Sequence, residues 1–168
     1  MSAVPLINVP LTLTQMREYA PTAYIMKYSG LQKFDKLPPL PLILLYETEP
    51  NHGHWVAIVN TPDGIEHFDS YGILPDGELR WVPADLKKQT GQDVKRLLGM
   101  LYESGQKINY NDYKLQGKDT ATCGRWCALR ILFHKLTNQE FAQLVSDVSG
   151  TCGLTPDEMV SRAVSIHG

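Results

Sequence analysis

Hydrophobic residues along the chain fall into short runs that switch between the strand and helix periods. Thr12 followed by Gln15 has the form of a capping box and predicts a short helix over residues 13–20. Pro38, Pro39 and Pro41 make a stiff lead-in to Leu42-Ile43-Leu44-Leu45-Tyr46, an unbroken apolar run that reads as a buried strand. Asn51-His52-Gly53 marks a turn. The β-branched and aromatic stretch 54–60 predicts a strand, Thr61-Pro62-Asp63-Gly64 a second turn, and 65–69 the returning strand. Residues 71–83, with Gly72, Pro75 and Gly77, read as loop. Val94, Leu97, Leu98 and Leu101 are spaced for a helix over 92–104, and 107–115 suits a further strand. Residues 123–135 carry large apolar groups on most faces, the pattern of a central buried helix. Two more helices are predicted over 138–148 and 156–166, the second with Thr155 as its cap and Pro156 in its first position. The pattern predicts an α+β fold, an antiparallel sheet packed by helices, in a single domain over residues 1–168.

Composition narrows the function classes. A formal charge of -2 and a pI near 6.2 argue against strong non-specific binding to nucleic acid or anionic membrane. No apolar run approaches the ~18 residues that span a bilayer, and residues 1–10 lack the charged and apolar regions of a secretory signal. The three cysteines, Cys123, Cys127 and Cys152, are an odd number without framework spacing, which points to a reducing compartment and not to a disulfide scaffold.

The hairpin brings a histidine and a carboxylate together. If residues 61–64 form the loop, Asn60 lies opposite Ile65 and His54 opposite Tyr71, with Asp69 the same-face diagonal neighbour of His54. Diagonal Cβ atoms are roughly 7–8 Å apart, a span that an imidazole and a carboxylate can close with a hydrogen bond. A carboxylate on one ring nitrogen fixes the tautomer, stabilises the imidazolium and leaves the other nitrogen for a nucleophile. His67 shares the Asp69 face and is a rival base, in a mid-strand position that suits a structural role. His52 falls in the turn, and Glu66 faces away from Asp69.

The nucleophile candidate is Cys123. Asp119, Thr120 and Thr122 are cap-type residues just ahead of the buried helix, so Cys123 occupies its first turn, where unpaired N–H groups and the helix dipole favour negative charge. Gly124 beside it permits close approach of another chain. Cys127, one turn deeper, reads as a packing residue, and Cys152, between Thr151 and Gly153, falls in a loop without evident role. Gln116, seven residues before Cys123, can donate an amide N–H to a developing oxyanion.

His54-Trp55, Phe68-Asp69-Ser70-Tyr71-Gly72, Gln116 and Thr122-Cys123-Gly124-Arg125-Trp126-Cys127, in that order, resemble the adenovirus-protease and SUMO-protease group of cysteine peptidases. The resemblance spans residues 42–135, and the short chain is more similar to the viral and mobile-element branch. It implies His54 as base, Asp69 as its orienter, Gln116 as oxyanion donor and Cys123 as nucleophile, with Trp55 and Gly124 near the substrate. The implied activity is cleavage after Gly-Gly or Gly-X-Gly sequences in a polypeptide, such as a viral capsid or core precursor. It needs no metal or other cofactor, and neither membrane nor nucleic acid as partner. A viral enzyme of this kind is expected in the host cytoplasm or nucleus and packaged in the virion, not secreted. Three rivals stand beside this reading: an isopeptidase acting on a ubiquitin-like modifier, a His/Cys metal-binding interaction module, and an inactive relative of the same fold.

Overall fold

The computed structural model describes residues 6–118 and 120–164. A five-stranded sheet runs in the order β1 (Tyr24–Lys27), β2 (Leu42–Glu49), β3 (His52–Thr61), β4 (Gly64–Phe68) and β5 (Ile108–Tyr110). The inner strands β2, β3 and β4 are antiparallel, as their tight turns require, and β1 and β5 join the edges in parallel. Parallel pairing needs a long return path. A 3-10 turn (Tyr28–Lys33) and the proline-rich stretch provide it between β1 and β2, and helices α2 (Ala84–Thr90) and α3 (Leu97–Glu103) lie between β4 and β5. Helix α1 (Leu13–Tyr19) precedes the sheet, and α4 (Cys123–Leu132), α5 (Asn138–Cys152) and α6 (Pro156–Ala163) follow it. The α+β class read from the pattern is the class observed.

Alternation along the strands divides the core in two. Ile43, Leu45, Trp55, Ala57, Val59 and Phe68 face α4 and the terminal helices. Leu42, Leu44, Tyr46, Val56, Ile58 and Ile65 face the 3-10 turn and α3. Nine of the ten residues of α4 are buried, so it has no solvent face to spare for polar groups. Its Arg130 is accommodated by Glu66 at 3.3 Å, Asn138 Oδ1 at 3.0 Å and the carbonyls of Phe133 and Leu136. Complete capping boxes start three helices, through Thr12 with Gln15, Thr137 with Glu140, and Thr155 with Glu158.

Several local expectations are corrected. α3 begins at Leu97, because Gln92 turns its side chain onto the backbone of Glu47 and Asp76 takes up the N–H groups of Leu97 and Leu98. β5 stops at Tyr110, where Asn111 begins to hydrogen-bond the backbone of Asp69 by its side chain. α5 extends to Cys152, which lies exposed in the last helical turn and not in a loop. Thr122 sits at the N-cap of α4 without accepting a helix N–H, and its hydroxyl donates to Asp157 Oδ1 at 2.5 Å instead. Asp119, read as a cap-type residue, and the end of the helix expected to reach residue 166 lie outside the described residues.

Candidate active site

The hairpin closes in the register expected, Asn60 opposite Ile65. Past the last ladder pair the same register carries on in the side chains, and the His54 and Tyr71 rings stack 4.9 Å apart at 20°. Asp69 Oδ1 lies 2.8 Å from His54 Nε2 and accepts the Tyr71 N–H at 2.7 Å. Its backbone is gripped from both sides by Asn111, which accepts from Asp69 N at 2.9 Å and donates to Asp69 O at 2.6 Å. Two glycines permit this geometry. A Cβ on Gly53 would stand 1.8 Å from Tyr46 O, so only glycine fits the hairpin end beside His54. Gly72 adopts φ +72° where the chain turns past Asp69, with Tyr113 O 2.5 Å from where its Cβ would be.

Cys123 opens α4, and Sγ accepts the Trp55 N–H at 3.5 Å. His54 and Cys123 line the same cleft, and the thiol is one of the groups that act on the imidazole. Because Nε2 is committed to Asp69, the opposite ring nitrogen, Nδ1, is the one left for the thiol. Burial alone would lower the pKa of His54, but the charges and hydrogen bonds of Asp69 and Cys123 outweigh it and hold the imidazole well above its ordinary value. Burial pulls Asp69 the other way. The His54 charge and hydrogen bond, with smaller help from Glu78 and the Tyr71 N–H, keep its carboxyl below the usual range.

Gln116 is 2% exposed. Its Oε1 accepts the Ser70 hydroxyl at 2.6 Å and one Nε2 hydrogen goes to Thr120 O at 2.9 Å, so the second amide hydrogen is left for a ligand. The Gln116 loop is anchored at both ends. Leu115 N and Gln116 N donate to Ser70 O, and Gly117 N donates to Asp157 Oδ2 at 2.6 Å. Gln116, His54 and Cys123 line one open cleft of about 470 Å³. A second, of about 610 Å³, lies between Ile73, Trp81 and Lys114, and the two meet at the stacked His54 and Tyr71.

The structure thus brings His54, Asp69, Gln116 and Cys123 together, and turns the Trp55 side chain and Gly124 into the interior behind them. Trp55 is packed in the core, and a Cβ on Gly124 would meet Met16, Leu11 and Trp55 at 3.0–3.3 Å. The close approach that Gly124 permits is therefore that of the chain's own N-terminal segment, not of a substrate. His67 is wholly buried with no hydrogen-bond partner on either ring nitrogen, and burial pushes its pKa down to about 4. It is a neutral core residue and not a base. Glu66 belongs to the Arg130 network, His52 is exposed at the rim, and Cys127 is sealed in the core.

Among the described residues the His and Cys pairs weighed as metal ligands do not assemble. The one group with ligand atoms near enough to share an ion is His54, Asp69 and Glu78. There the 2.8 Å Nε2–Oδ1 contact is a direct hydrogen bond, which leaves no room for an ion between the two. Sequence reasoning missed Glu78, Asn111, Ser70 and Asp157. Ser70 alone carried a signal, its place between Asp69 and Tyr71.

No family model matches the chain. It is 35% identical over 147 residues to a protein of Sputnik virophage described as uncharacterized protein V9, across 83% of this chain and 84% of that one. The chain belongs to the V9 family. Among the described residues no helix is long and apolar enough to cross a membrane.

Proposed function

We propose that this member of the virophage V9 family is a thiol-dependent cysteine endopeptidase of the adenovirus-protease and SUMO-protease type. The observation that carries the reading is the two-sided histidine: Nε2 of His54 on Asp69, the opposite nitrogen toward Cys123 at the start of α4, and the Gln116 amide in the same cleft. His54 takes the thiol proton, before or during attack, and the sulfur adds to the scissile carbonyl. The second Gln116 N–H and the Cys123 N–H receive the oxyanion. His54 then gives its proton to the leaving amine, and water, deprotonated by His54, releases the acyl group and restores the thiol. No step uses a metal or other cofactor.

The two clefts that meet at His54 give a polypeptide a path across the nucleophile. The buried position of Cys123 favours glycine near the scissile bond, where a side chain would block the approach. The proposed substrates are viral structural precursors, cleaved in the host cell or within the particle, a reading supported by the viral source of the relative. Nucleic acid is not needed. Incubation of the protein and of Cys123→Ala with Gly-Gly and Gly-X-Gly peptides is the test. Cleavage by the first and not the second is the expected result. Release of a ubiquitin-like modifier from a lysine side chain, with the peptides untouched, would assign the same chemistry to an isopeptidase. Failure on both substrate classes would overturn the reading.

A further inference from the structure

Two oxygens at the heart of the site, Asp69 Oδ2 and Glu78 Oε1, are buried with no hydrogen-bond donor. Glu78 comes from the 3-10 turn Gly77–Trp81 and is 5% exposed. Its Oε1 lies 3.5 Å from His54 Nε2, and one oxygen of each carboxyl lies within 4.8 Å of the other and of the His54 ring nitrogen. Two carboxyl groups can bond to each other only if one keeps its proton, and two buried carboxylates at this distance would repel. Asp69 already has two donors, His54 Nε2 and Tyr71 N, that favour its ionised form. Glu78 has none, so the proton belongs on Glu78, and it satisfies both orphaned oxygens at once.

We propose that Glu78 is a positioning residue of this site, a neutral carboxylic acid that donates its hydrogen to Asp69 and thereby fixes the carboxylate that orients His54. Its role in catalysis rests on the peptidase reading; its protonation does not. The charged and titratable groups around it are His54, Asp69, Tyr71, Cys123, Arg80 and, along the same cleft, Lys114 and Lys118. His54 faces it from β3, Asp69 and Tyr71 from the segment after β4, and Cys123 lies beyond His54 on α4. Arg80, on the same turn, is exposed and stacked on Trp81, with Cζ 4.1 Å from the ring centroid. Burial pushes Glu78 up; His54 opposes this, and the charge and hydrogen bond of Asp69 add to it, leaving the group at about 8. At neutral pH Glu78 therefore supplies Asp69 with a donor without setting a second anion against His54. Above pH 8 it ionises, and the added negative charge holds the imidazolium proton to higher pH.

The experiment has two arms. Alkylation of Cys123 by iodoacetamide is followed against pH in wild type, Glu78→Gln and Glu78→Ala, and the infrared difference spectrum of wild type minus Glu78→Gln is recorded on either side of pH 8. The pH at which reactivity changes from that of the thiolate–imidazolium pair to that of the free thiolate is expected to fall by about 1 pH unit in both variants. At pH 7 Glu78→Gln, whose amide still donates to Asp69, is expected to react faster than Glu78→Ala. The spectrum is expected to show the C=O band of a neutral carboxyl at pH 7 and to lose it above pH 8. A missing band at pH 7, or a Glu78→Gln profile that superimposes on wild type, would overturn the proposal. If reactivity of Cys123 were indifferent to His54→Ala, the peptidase reading would fail instead, and the infrared band would still decide where the proton sits.

Discussion

At the scale of single residues the site is a matter of donors counted against acceptors. Asp69 is the most heavily tied residue of the site, with His54, Tyr71 N and both backbone bonds of Asn111 on it. Gln116 is the other fixed point, and Gln116→Ala is predicted to lower kcat by about 100- to 1,000-fold with little change in KM, the signature of a donor used only in the transition state. Steady-state kinetics on a cleaved peptide measures this. The same change strands the buried Ser70 hydroxyl and is expected to cost about 1–3 kcal/mol of stability. His67 gives a pH prediction. Its folded value of about 4 lies below the ordinary 6.5, so the folded protein binds fewer protons than the unfolded chain between the two. That stability is fully present above pH 6.5 and is lost as pH falls toward 4, by about 3 kcal/mol at most. Urea unfolding at pH 7 and pH 4.5 is expected to show a smaller drop for His67→Leu than for wild type. His54, held above its ordinary value, acts outside this window, since its contribution is lost as pH rises. His54 and Asp69 could be paired from sequence because a turn fixes the count between them. Glu78 could not, because it sits in a 3-10 turn with no period to mark it.

At the scale of elements, α6 acts as a strut under the Gln116 loop. Asp157 in its first turn accepts from Gly117 N and the Thr122 hydroxyl through separate oxygens, and from Trp126 Nε1 at 3.2 Å. It thus ties the loop after Gln116 to the start of α4. Asp157→Ala is predicted to raise amide hydrogen exchange at residues 116–123 and to lower kcat, while residues 54–60 keep their protection. Exchange rising uniformly through the chain would mean general destabilisation instead. Elements with a strong local code were legible in the sequence. The apolar run of β2, the hairpin of β3 and β4, the capping box of Thr12 with Gln15, and the Thr155-Pro156 helix start all agree with what formed. β1 and α2 were not seen. β1 is a four-residue edge strand with no buried residue, and α2 buries none of its side chains, so neither carries a hydrophobic period. The helix read from residue 92 starts late because the polar groups that stop it, Gln92 and Asp76, act on distant partners that no local pattern records.

At the scale of the whole molecule, the N-terminal segment closes the base of the site. Ala121 N donates to Ile7 O at 2.6 Å, Arg125 donates to the Val9 carbonyl, and Leu11 and Met16 pack on Gly124. Leu11→Ala is predicted to destabilise the fold by about 2 kcal/mol, measured by denaturant unfolding, because the contact it loses is fully desolvated. Gly124 and Trp55 are therefore committed to the interior, so under the proposed peptidase reading substrate reaches Cys123 from the side of His54 and Gln116.

The central claim is that Cys123 is a nucleophile activated by His54. The direct measurement is reaction of the protein with a thiol-directed, glycine-ending peptide electrophile, with the adduct mapped by mass spectrometry in wild type and in His54→Ala. Cys152, exposed at the end of α5, serves as the ordinary thiol for comparison, and Cys127 is sealed in the core. An adduct on Cys123 in wild type, much reduced in His54→Ala, with Cys152 labelled equally in both, is the expected result. Equal labelling of Cys123 and Cys152, indifferent to His54, would contradict it.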